Sequence, residues 1–135
     1  MDLTISYKKR RKYKYTLFSD YEHCTTICPS YPIVTRFIDL DMSGVLTIKR
    51  NYAWDGASGP VFDTRRIMRG SLVHDALYQL MREEHLPQKV RENADWLLRE
   101  ICIEDGMPKF NADLVYLAVD LFGGNFTKPD LLRAP

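Results

Sequence analysis

Seven side chains between residues 51 and 95 are of types that do chemistry: Asp55, Ser58, His74, Asp75, Tyr78, Arg91 and Asp95. They fall in three groups. Asp55 and Ser58 lie in the turn-rich WDGAS, the next three in LVHDALYQL, and Arg91 and Asp95 in RENADWLL. One imidazole with the carboxylates of Asp55, Asp75 and Asp95 is a ligand set suited to a divalent metal, Zn, Mg or Mn. Such an ion could activate water to hydrolyse a phosphoester or an amide, with Tyr78 or Arg91 stabilising the developing negative charge. Alternatively, Ser58 could act as a nucleophile with His74 as base and an Asp as orienter. DGAS-G is not the G-x-S-x-G elbow, however, and no helix follows the serine directly. The same residues also permit a purely structural arrangement. Asp55 and Ser58 would bond amides in their own loop, His74 and Asp95 would bond that loop, and Arg91 would pair with a carboxylate.

Other elements must position these groups. Residues 1–52 are β-rich. KYKYTLFSDYEH, IVTRFIDLD and VLTIKRNYAW favour strands, and Asp41-Met42-Ser43-Gly44 predicts a hairpin near 36–51 with a positive φ at Gly44. Residues 53–64 form the DGAS loop, with Asp63 or Thr64 available to cap the next helix. Residues 65–125 read as helical. Leu72, Val73, Ala76, Leu77, Leu80 and Met81 recur at helical spacing from Arg65 to about Arg82. Pro87 suits the first turn of a second helix that stops before Gly106, and a third runs from Ala112 to about Phe122, ahead of Gly123-Gly124. The short EEHLPQ connection makes the first two antiparallel neighbours. Residues 126–135 form a tail. The expected class is α+β in one domain, residues 1–135, with an N-terminal antiparallel sheet packed against a layer of three helices.

On a wheel at about 100° per residue, His74, Asp75 and Tyr78 lie nearly opposite the apolar residues of the first helix. That predicts that they avoid the helix–helix seam and are covered by the DGAS loop. Arg91 and Asp95 are one turn apart on the flank of the second helix, where an i, i+4 pair forms.

NYAWDGASGP, LVHDALYQL and RENADWLL together resemble a family of small, functionally uncharacterised proteins found mainly in tailed bacteriophages and prophages. Its pattern has an Asp-Gly-Ala-Ser loop with a nearby proline, a helix with Ala/Val-His-Asp-x-Leu-Tyr, and a later Arg-x-x-Ala-Asp. Here these elements are Asp55 to Ser58 with Pro60; His74, Asp75, Leu77 and Tyr78; and Arg91, Ala94 and Asp95. Gly59 stands where the pattern more often has an aliphatic residue. The resemblance covers about residues 51 to 98 and implies a phage origin without supplying an activity.

Bulk properties narrow the function classes. The apolar share of 45% and charged share of 27% are those of an ordinary globular chain. A net charge of +1 speaks against a dedicated polyanion binder. The basic segment 8–14, interleaved with Tyr13, could touch nucleic acid, but an edge strand guarded by Lys and Arg accounts for it better. No window approaches the roughly 18–20 apolar residues that span a bilayer, and the N-terminus lacks a signal-type apolar region. The expected place is the host cytoplasm, with virion association open and no membrane partner. Three cysteines, Cys24, Cys28 and Cys102, are expected as free buried thiols rather than zinc ligands. Two functions follow: a phage-encoded metal-dependent hydrolase, or a non-catalytic phage protein that binds a host or virion partner, as an assembly factor or inhibitor.

Overall fold

A computed structural model describes residues 5, 7–9, 15–56 and 65–128. The chain is α+β, with antiparallel sheets in its first half and three helices in its second. β1 (Tyr7–Lys9), β2 (Tyr15–Leu17) and β7 (Ala53–Trp54) form one sheet in the order β1-β2-β7. β3 (Tyr21–Cys24), β4 (Ile33–Val34), β5 (Ile38–Leu40) and β6 (Val45–Ile48) form the other, in the order β3-β6-β5-β4. Alternation across the pleat decides which side chains go inward. Tyr21 pairs with Ile48 and His23 with Leu46, while Ile38 and Leu40 pair with Ile48 and Leu46 from the other side. All six side chains are buried on one face.

The expected hairpin is β5–β6. Asp41 builds its turn by accepting bonds from the Ser43 amide, the Ser43 hydroxyl and the Val45 amide, and Gly44 has a φ of +94°. A single run VLTIKRNYAW is not what forms. The chain turns at Lys49–Tyr52, with Asn51 at φ +78°, and its last two residues join the other sheet. Asn tolerates this left-handed conformation better than branched residues do. Lys8 and Lys9 lie on the edge strand β1, as the edge-strand reading expects; residues 10–14 lie outside the described residues.

α1 (Arg65–Arg82) has the expected bounds, and its expected cap at Asp63 or Thr64 lies outside the described residues. α2 (Arg91–Glu104) follows a 3-10 turn at Gln88–Val90, for which Pro87 is the cap. α3 (Lys109–Phe122) begins behind Pro108, three residues earlier than expected, and leads into a 3-10 turn at Gly123–Phe126. α2 packs on α1, and α3 packs on α2. The main core joins both sheets to α1; a smaller one joins Ile67 of α1, Leu98 and Cys102 of α2, and Ala112 and Val115 of α3. Gly70 lets α1 and α2 approach closely, since a β-carbon there would lie 2.9 Å from Leu98 Cδ1.

Two expectations fail. His74 and Tyr78 do not avoid the helix–helix seam: both are buried and face α2. α1 is enclosed on more than one side, so the face opposite its apolar stripe is itself an interface. Of the cysteines, Cys102 is buried, but Cys24 and Cys28 are exposed. Cys24 takes the outward phase of β3, next to the inward His23. Among the described residues, no helix is long and apolar enough to cross a membrane.

Candidate functional site

Two helices meet at one carboxylate, and the third packs on its neighbours. His74 and Tyr78 are one turn apart on α1, with ring centroids 4.0 Å apart. Asp95 faces them from α2, and its exposure is 0%. Asp95 Oδ1 accepts from His74 Nε2 at 2.8 Å and from the Tyr78 hydroxyl at 2.5 Å. Asp95 Oδ2 accepts no hydrogen bond among the described residues, and Arg91 Nη1 lies 3.5 Å from it. Arg91 also reaches α3, donating to the carbonyls of Val119 and Asp120 at 3.4 and 3.3 Å. Gly123 closes the cluster above Tyr78, where a β-carbon would overlap the tyrosine hydroxyl.

The electrostatics follow from this packing. Burial disfavours a charged His74, but bonds and charges from Asp75 and Asp95 outweigh it, so the imidazole pKa is raised. Burial, then the bond and charge of Asp95, raises the Tyr78 pKa, which keeps its hydroxyl protonated as a donor. The other ring nitrogen, Nδ1, lies 3.9 Å from Asp75 Oδ1, and the Asp75 side chain is 37% exposed. Desolvation raises the Asp75 pKa, His74 and Arg82 lower it, and the charge of Asp55 raises it, so Asp55 lies within electrostatic reach.

The predicted residues therefore divide. His74, Tyr78, Arg91 and Asp95 meet directly, Asp75 borders them, and Asp55 is exposed, within electrostatic reach of Asp75. Ser58 lies outside the described residues. Of the four proposed metal ligands, His74 and Asp95 touch through Nε2. Among the described residues no three His, Cys, Asp or Glu side chains are grouped so as to hold an ion.

Sequence reasoning misses Gly123 as a lid and takes it only as a helix stop. It also misses Ser71, which receives the indole N–H of Trp54 at 3.1 Å and anchors the start of the DGAS loop to α1. A second network escapes it entirely. Arg69, 2% exposed, donates to Glu104 at 2.5 Å, to Asp105 at 2.9 Å and to the Tyr21 hydroxyl at 2.8 Å. Tyr21 in turn lies 3.0 Å from His23 Nδ1. The signal in the sequence is a lone arginine inside IMRGSL, facing acids at the end of an antiparallel helix. No family model, no curated protein and no solved structure matches this chain.

Proposed function

We propose that this chain is a non-catalytic, phage-type protein that acts by binding a host or virion partner, with the His74–Tyr78–Asp95 cluster as a clamp. One observation carries the reading: the Asp95 carboxylate is wholly buried, and both polar neighbours on α1 spend their donors on the same oxygen. A general base or nucleophile must reach a substrate atom, whereas Tyr78 is directed into Asp95 beneath Gly123. A buried acceptor with two donors contributes to stability and to a unique helix arrangement.

Thermal unfolding of His74→Ala tests this. The variant is expected to lose about 1–3 kcal/mol, and Mg²⁺, Mn²⁺ or Zn²⁺ is expected to leave the wild-type melting temperature unchanged. A variant as stable as wild type, or a metal-dependent rise in melting temperature that His74→Ala abolishes, would overturn the clamp.

A second reading, hydrolysis, is favoured by the second ring nitrogen of His74, which stands 3.9 Å from the partly exposed Asp75, with Asp55 in electrostatic reach of that carboxylate. There His74 would be a base oriented by Asp95. Among the described residues no three ligand-type side chains are grouped to hold an ion, and the part of this reading that the geometry supports is acid–base chemistry at His74. Hydrolysis of a generic phosphodiester or peptide substrate that vanishes in a folded His74→Gln variant would favour it over the clamp.

A further inference from the structure

α3 has two apolar faces, and the fold uses one. Ala112 and Val115 are buried against Ile67, Leu98 and Cys102, with Val119 packed beside them. Phe110, Leu114, Leu117 and Leu121 are 73%, 47%, 51% and 64% exposed. At about 100° per residue these four fall within an arc of about 60°, nearly opposite the buried face. A contiguous apolar stripe of this size on a surface helix marks an interaction site.

We propose that this stripe pairs two copies of the chain, α3 against α3 in antiparallel orientation. The spacing of the four residues is 4-3-4, the seam of a short coiled coil, and it reads the same in either direction. With Phe110 of one copy set against Leu121 of the second, Leu114 meets Leu117, and the two-fold axis repeats both contacts. Such self-complementarity is what an isologous interface requires.

Charge agrees with this register. Exposed Lys109 of one copy comes level with position 122 of the second, two residues from Asp120, and the symmetry repeats the pairing. Asp113 on the same flank is already neutralised by Arg99 at 2.6 Å, so it adds little repulsion. Area agrees as well. The stripe exposes on the order of 400 Å², within the range that marks interaction patches on monomers. Two copies with their flanks reach the lower end of specific interfaces, about 1,200 Å². The expected assembly is thus a concentration-dependent dimer. It goes beyond the clamp reading and is independent of what the His74 cluster does.

Sedimentation equilibrium of the full chain tests this, with Leu117→Glu as the disrupting variant. Leu117 is half-exposed, so the variant should keep its melting temperature while the dimer dissociation constant rises at least about tenfold. Orientation is read by disulfide trapping in a Cys24→Ser, Cys28→Ser background. Leu114→Cys mixed with Leu117→Cys should cross-link the two chains, and Leu114→Cys alone should cross-link poorly. A chain that stays monomeric at about 100 μM, well above typical micromolar affinities, overturns the proposal. So does a dimer indifferent to Leu117→Glu, and so does preferential Leu114→Cys self-linkage, which signals parallel packing. Should Leu117→Glu fail to fold, the trapping pattern alone decides between these outcomes.

Discussion

Asp95 carries a carboxylate where its exposure is 0%, which is costly unless donors compensate. His74 and Tyr78 supply two donors, and Arg91 supplies a nearby positive charge. The histidine makes this compensation depend on pH. Burial opposes its charge, the contacts with Asp75 and Asp95 favour it, and the net pKa is above the ordinary 6.5. A raised folded pKa means that the stability His74 contributes is complete below about pH 6.5 and is lost as pH rises through the folded value. The stability difference between wild type and His74→Gln should therefore be wider at about pH 5.5 than at about pH 8.5, measured by urea unfolding at each pH. A gap that is constant, or widens toward alkaline pH, would mean that no charged imidazole is being stabilised. His23 should act oppositely: burial, then the charge of Arg69, lowers its pKa, so its neutral form is the one accommodated.

At the scale of elements, α1 is fastened to α2 at two places and held tightly between. In its second half His74 and Tyr78 bond Asp95; in its first half Arg69 bonds Glu104 and Asp105 at the end of α2. Between them the helices approach at Gly70, where a β-carbon would stand 2.9 Å from Leu98 Cδ1 and 3.4 Å from Cys102 Sγ. Gly70→Val would force α2 outward and strain both polar contacts. It should cost about 1–3 kcal/mol by overpacking, checked by denaturant unfolding. An unchanged midpoint would mean that the seam can give more than its packing suggests. Burial also raises the Cys102 thiol pKa, to about 12, so it acts here as a small apolar group.

At the scale of the molecule, two tryptophans report on the sheet side and on the α2–α3 edge. Trp54, 2% exposed, packs among Tyr7, Tyr15 and Tyr52 and ties β7 to α1 through Ser71. Trp96, 46% exposed, lies edge-on to Tyr116 with Arg99 over its ring, joining α2 to α3. Because α1 contributes to both cores, fluorescence from Trp54→Phe and from Trp96→Phe should show coincident unfolding transitions. Transitions that separate would mean that the α2–α3 edge unfolds by itself. By itself the sequence determined the α+β order, the β5–β6 turn, the extent of α1 and the pairing of Arg91 with Asp95. These depend on local spacing, glycine and short connections. The burial of His74 and Tyr78 against α2, the network of Arg69 and the exposed second face of α3 were decided only by the tertiary structure. Helical periodicity shows that a helix has faces; which neighbour covers each face depends on how distant segments pack.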